Sequence, residues 1–211
     1  MATDLQNRTS KPAVSTYVPD SGPASIADPG PLGLAAFALT TFMLSVFNAG
    51  LITTAGLESV VLPVALFYGG IAQLAAGMWE FKKANTFGAL AFSSYGAFWL
   101  SFAALVKFVA PGLPPASAHQ AIGLFLLAWT IFTVIMTIAA VRVSGAVLGV
   151  FVVLTLTFVF LTAGEFATNA SLAKIGGWLG LITAALAWYT ALAGVTSATY
   201  KRSVLPTWPV G

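Results

Sequence analysis

The chain reads as an all-α integral membrane protein, a bundle of six transmembrane helices, and three observations carry that reading. Hydrophobic residues make up 58% of its 211 positions and charged ones only 7%, against roughly 25% charged in an ordinary soluble domain. Apolar segments separated by short polar joints fill the chain from Leu32 to Ala198. The apolar runs are continuous and do not alternate by twos, so they fit helices, which satisfy their backbone internally in hydrocarbon, and not barrel strands.

The runs predict helices over Leu32–Thr54, Ser59–Phe81, Phe87–Ala110, Ala118–Val141, Gly145–Thr168 and Ile175–Ala198. Residues 1–27, rich in Pro, Ser, Thr and Asp, read as a disordered cytoplasmic tail and not as a cleaved signal peptide. Residues 28–200 form the transmembrane domain and 201–211 a short cytoplasmic tail. Arg8, Lys11, Lys82, Lys83, Arg142, Lys201 and Arg202 fall on one side, and only Lys107 and Lys174 on the other. The positive-inside rule then places both termini in the cytoplasm of a multi-pass cell-membrane protein, most simply in a bacterial inner membrane.

Composition excludes several chemistries. Cysteine is absent and His119 is the single histidine, so no disulfide frame, thiolate metal site or histidine cluster is expected, and no cofactor. Basic residues sit in ones and twos at helix ends, which argues against nucleic acid as a partner. The joints Lys82–Thr86, Val143–Ser144 and Pro111–Pro115 leave no room for a soluble catalytic domain, and no nucleophile–base pair or phosphate loop is present.

The polar residues fall on faces. Phe37, Thr41, Ser45 and Asn48 share one face of the first helix, where hydroxyls and an amide either line a wet path or glue helices together. Gly70, Gln73, Gly77 and Glu80 form a small and polar stripe on the second, suited to close approach or to a conduit. On the fifth, Leu154, Phe158, Thr162 and Glu165 lead toward the outer surface. Glu80, beside Lys82 and Lys83, and Glu165 are the candidates for proton handling; each also reads as an interfacial carboxylate. Asp28 suits a helix start, Glu58 an anion in a first turn, and His119 a loop ahead of the fourth helix. Gly145 with Gly149, and Gly176 with Gly180, have the spacing that lets helix backbones approach within or between subunits.

Local strings add a resemblance. Asp28-Pro29-Gly30-Pro31-Leu32-Gly33-Leu34, the run from Phe67-Tyr68-Gly69-Gly70 through Glu80-Phe81-Lys82-Lys83-Ala84-Asn85 to Ser94-Tyr95-Gly96-Ala97-Phe98-Trp99, and Gly177-Trp178-Leu179-Gly180 with Val204-Leu205-Pro206 resemble the acetate uptake transporter family of bacterial succinate/acetate permeases and fungal acetate transporters. The likeness spans about residues 28–206. Asp28 departs from the asparagine of the family signature, and Glu165 stands where a bacterial relative has asparagine. The resemblance implies a homohexamer with a path in each subunit, narrowed by Phe37, Tyr95 and Leu154. It also implies acetate or another small carboxylate as partner, alongside membrane lipids.

A carboxylate entering such a path must exchange water for neutral donors. Thr40, Thr41, Asn48, Gln73, Tyr95 and Thr155 are the substrate-binding candidates. Channel and proton-linked mechanisms both fit, and a non-transporting structural or signalling protein or a channel for small neutral solutes stays open as an alternative.

Overall fold

Six helices are long and apolar enough to cross a membrane in the computed structural model, which describes residues 26–210. They are α1 Gly30–Asn48, α2 Leu57–Lys82, α3 Thr86–Gly112, α4 Pro115–Ala140, α5 Gly145–Phe166 and α6 Ala170–Tyr200. The tail expected over residues 1–27, with Arg8 and Lys11, lies almost wholly outside the described residues.

Local chemistry explains where the ends differ from expectation. α1 stops at Asn48 and not Thr54 because Gly50 turns left-handed at φ 74°, followed by Gly56 at φ 82°. α4 starts at Pro115 and not Ala118, since proline fits a first turn. His119 therefore belongs to the helix and not to the loop before it. α5 closes at Phe166, short of Thr168, which has φ 46°. α6 begins at Ala170, ahead of Ile175, because the Asn169 side chain accepts hydrogen bonds from the Ser171 and Leu172 amides. Asn85 and Ser144 cap α3 and α5 in the same way.

The helices close a ring. α1 packs along α6, α6 along α5 and α5 along α4, while α2 lies against α3 and α1. α3 and α4 meet mainly through aromatic rings: Phe98 is 5.5 Å from Phe125 and 5.1 Å from Trp129, centroid to centroid. Glycine sets the tightest seams. A Cβ on Gly96 would lie 2.7 Å from the Leu74 nitrogen and 2.9 Å from the Gly70 oxygen, and one on Gly177 would strike the backbone of Asn48 and Ala49. The Gly176–Gly180 spacing thus serves packing inside the subunit, on α1 and α5.

Two spans carry a wider turn, over Phe67–Ala72 in α2 and Leu105–Val109 in α3, of the kind often found at functional sites. In α2 this turn holds Gly69 and Gly70, both buried, against Thr40 of α1 and Leu100 of α3. The segment after α6 folds back onto the α4–α5 joint: Trp208 and Thr207 carbonyls accept from the Gly145 and Ala146 amides at 2.8 and 3.1 Å, and Tyr189 Oη donates to Pro206 O at 2.7 Å. Two donors at the start of α5 are thereby satisfied from outside the helix.

Gly96→Val forces α2 from α3 and should lower stability by about 1–3 kcal/mol, the usual overpacking penalty. A clear drop in thermal unfolding temperature in detergent checks it. Gly112→Ala, where a Cβ meets nothing within 4 Å, should leave that temperature unchanged.

Candidate functional site

Odd-numbered helices α1, α3 and α5 run from the end holding Lys83, Arg142 and Lys201 toward the end holding Lys174 and Glu165. Position along these three helices therefore measures depth in a common direction, at about 1.5 Å per residue. Phe37, Tyr95 and Leu154 are buried side chains of α1, α3 and α5. Tyr95 touches Phe37 at 5.6 Å between ring centroids and is held from behind by Phe132 at 5.4 Å and Phe151 at 6.1 Å.

Two cavities meet at this layer. The larger, about 430 Å³, opens toward the Glu165 end, and the smaller, about 210 Å³, toward the Lys83 end. Phe37 and Leu154 border both, while Tyr95 borders the smaller one. The interior thus holds two cavities with bulky side chains from three helices at the layer between them.

The larger cavity gathers the polar face of α1: Thr41, Ser45 and Asn48 all border it, beside Leu154, Phe158 and Glu165 of α5. Thr162 turns aside and bonds Thr130 of α4 at 3.1 Å. The smaller cavity takes Gln73 and Glu80 from the α2 stripe, whose glycines instead meet α3. The stripe therefore lines a cavity with its polar members and permits close approach at its glycines. Gln73 is buried, and its amide oxygen has no hydrogen-bond partner.

Two of the expected substrate donors point elsewhere. Thr40 donates to Ala36 O at 2.9 Å and packs on Gly69, and Thr155 donates to Phe151 O and meets the Thr137 hydroxyl, each at 2.8 Å. Neither borders either of these two cavities. The Tyr95 hydroxyl is engaged with Thr133 Oγ1 at 2.8 Å.

The acids have partners that spacing could not reveal. Glu80 is 2% exposed, and its Oε2 accepts from Asn85 Nδ2 at 2.8 Å. Its neighbour Lys83 pairs instead with Asp28 at 2.9 Å, tying the start of α1 to the α2–α3 joint. Asp28 also accepts from the Gly30 amide at 3.0 Å. At the opposite mouth His119 Nδ1 lies 2.7 Å from Glu165 Oε2, and Glu58 borders the same cavity. Among the described residues no lysine or arginine borders the larger cavity.

Trp99 is a further polar group bordering the larger cavity, and the sequence reading did not single it out. It is 2% exposed and its indole Nε1 has no partner. A lone aromatic on a membrane helix carries no sequence signal that separates packing from a cavity wall.

Comparison with known proteins places this arrangement. The family model described as GPR1/FUN34/yaaH family matches residues 11–211. The succinate-acetate/proton symporter SatP of Escherichia coli strain K12 is 40% identical over 185 residues, covering 88% of this chain and 97% of that protein. Acetate permease A of Emericella nidulans is 40% identical over 195 residues, covering 85% of this chain and 65% of that one. A solved structure of the bacterial acetate channel SatP superimposes with a TM-score of 0.79 at 40% identity, over 87% of this chain and 99% of the other. With the matching family model, sequence and helix arrangement, the protein belongs to the GPR1/FUN34/yaaH family.

Proposed function

We propose that this chain carries acetate and related small carboxylates such as succinate across the cell membrane, through a path inside each subunit. The observation that carries the reading is the pair of cavities meeting at Phe37 and Leu154, in a protein similar to an acetate channel and a succinate-acetate symporter. Neutral donors along the path replace water around a carboxylate without trapping it as a fixed cation would. Thr41 and Asn48 serve the larger cavity and Gln73 the smaller. Phe37, Tyr95 and Leu154 form the constriction, deformable enough to pass a short acid and bulky enough to exclude bulk water.

Basic joints at the Lys83 end orient that end and both termini toward the cytoplasm. The subunit is one sixth of a homohexamer, in keeping with large apolar side chains such as Phe67, Phe108 and Ile138 exposed on its outer surface; native mass spectrometry in mild detergent should return six copies.

The acids bear on mechanism. Glu58 and Glu165 face the larger cavity, Asp28 and Glu80 the smaller, and an approaching anion is repelled wherever these stay charged and unpaired. Lys83 offsets Asp28, and His119 offsets Glu165 when protonated; Lys174 stands near Gly50 at the same end. An acid whose charge is balanced only by a protonated histidine favours proton-linked uptake, with Glu165 at the outer mouth and Glu80 at the inner one as the proton-handling groups.

Labelled acetate uptake into proteoliposomes, with and without an inward proton gradient, tests the function. Uptake should exceed that of empty liposomes and rise with the gradient; rates equal to empty vesicles at neutral and acidic pH would remove the assignment. Leu154→Ala and Phe37→Ala should raise flux or admit longer carboxylates, and wild-type rate and substrate range in both folded variants would place the constriction elsewhere. Glu165→Gln should raise uptake at neutral pH by about fivefold, the effect of ~1 kcal/mol between unit charges near 4 Å in watery surroundings. The same variant should flatten the gain on acidification, and His119→Ala should lower uptake at mildly acidic pH.

A further inference from the structure

We propose that Thr133 of α4 is a positioning residue that sets which carboxylates pass, acting through the Tyr95 ring and touching no substrate itself. This rests on the carboxylate transport reading above. It assigns a selecting role to a side chain outside the path.

The proton inventory is the first observation. The Thr133 hydroxyl lies 2.7 Å from Trp129 O, one turn back on α4, and 2.8 Å from Tyr95 Oη. A threonine hydroxyl has one proton, and a carbonyl oxygen only accepts. Thr133 therefore donates to Trp129 O and accepts from Tyr95, whose own proton is thereby spent. Phe37 and Leu154 carry no polar side-chain atom, so the narrow layer offers a passing acid no side-chain donor. It selects by shape.

Placement is the second. Thr130, Thr133 and Thr137 follow one another along α4 at helical spacing, and the outer two meet threonines of α5, Thr162 and Thr155. Thr133 alone turns to α3. Among the described residues its bond to Tyr95 is the one side-chain hydrogen bond between α3 and α4. Thr133 is buried and borders neither of the two cavities that meet at the narrow layer, so its effect on passage must run through Tyr95.

Geometry ties the bond to selection. Phe37, Trp129, Phe132 and Phe151 surround the Tyr95 ring at centroid distances of 5.6, 6.0, 5.4 and 6.1 Å. Ring contacts of this kind tolerate a range of tilts, whereas a hydrogen bond fixes the tip. The Thr133 bond thus sets where the ring stands against Phe37. With the threonine hydroxyl removed, a buried phenol O–H is left without an acceptor, a cost the ring relieves by moving its tip. The layer then fits longer acids better, while a two-carbon acid gains little.

The test compares labelled acetate and succinate uptake by the full chain in proteoliposomes. Thr133→Val keeps the branched shape and deletes the hydroxyl; it should raise the succinate-to-acetate rate ratio about fivefold, the net worth of one neutral hydrogen bond, with the acetate KM unchanged. Thr133→Ser, which keeps the hydroxyl, should hold the wild-type ratio. Thr130→Val, which breaks the neighbouring contact to Thr162, should hold it too. Adding Thr133→Val to Tyr95→Phe should change nothing further. Should Thr133→Val misfold, Tyr95→Phe carries the test alone, with the same rise in ratio at an unchanged acetate KM. A wild-type ratio in the folded variant overturns the proposal, as does an equal rise in Thr130→Val or an added effect in the double variant. A raised acetate KM in Tyr95→Phe also overturns it, by making that hydroxyl a direct substrate donor. Wild-type protein that transports acetate under those outcomes keeps the transport reading intact; wild-type protein that fails to transport it removes both.

Discussion

Backbone-to-backbone approach at two glycine seams sets how wide the interior of this bundle can be. Gly177 lets α6 lie on the end of α1, and Gly96 lets α3 lie on the wide turn of α2. In lipid, apolar side chains gain little by leaving one hydrocarbon surface for another, so helices associate through close packing and polar contacts. Drawing α1 to α6 and α2 to α3 at small residues pins those pairs. α3 and α4 are held apart by large rings, and the space left between elements becomes cavity in place of continuous core. The threonines between α4 and α5, Thr130 with Thr162 and Thr137 with Thr155, knit a further seam by hydroxyl contacts.

From that frame follows the alternation of dry and polar layers along the interior. α1, α3 and α5 place side chains of one level side by side because they run in the same direction. One level holds Phe37, Tyr95 and Leu154; the next holds Thr41, Trp99 and Phe158. The Tyr95 ring is fixed by Phe132, Phe151 and a hydroxyl bond to Thr133, which makes it a firm wall. Phe37 and Leu154 border both cavities and so stand between them.

Much of this was legible in the sequence, and what was not has identifiable causes. Long apolar runs and short joints marked six helices, because hydrocarbon thickness fixes span length. The faces bearing Thr41, Ser45 and Asn48, or Gln73 and Glu80, were visible in helical spacing. Adjacent hydroxyls were not separable: Thr40 and Thr41 lie about 100° apart on α1, and only tertiary packing turns Thr40 to Gly69 and Thr41 to the cavity. Thr155 beside Leu154 repeats the case on α5. Charge partners defeated spacing altogether. Glu80 meets Asn85 and not the lysines next to it, Lys83 reaches back to Asp28, and His119 meets Glu165 across 46 positions of chain.

Those partners also set how the acids at the two ends of the interior are balanced. A carboxylate beside an anionic route opposes entry unless its charge is balanced. At one mouth Lys83 is tied to Asp28. At the other Glu165 meets His119, which balances its charge only when protonated. The two ends thus differ in how their acids are balanced, by a lysine at one and by a histidine at the other.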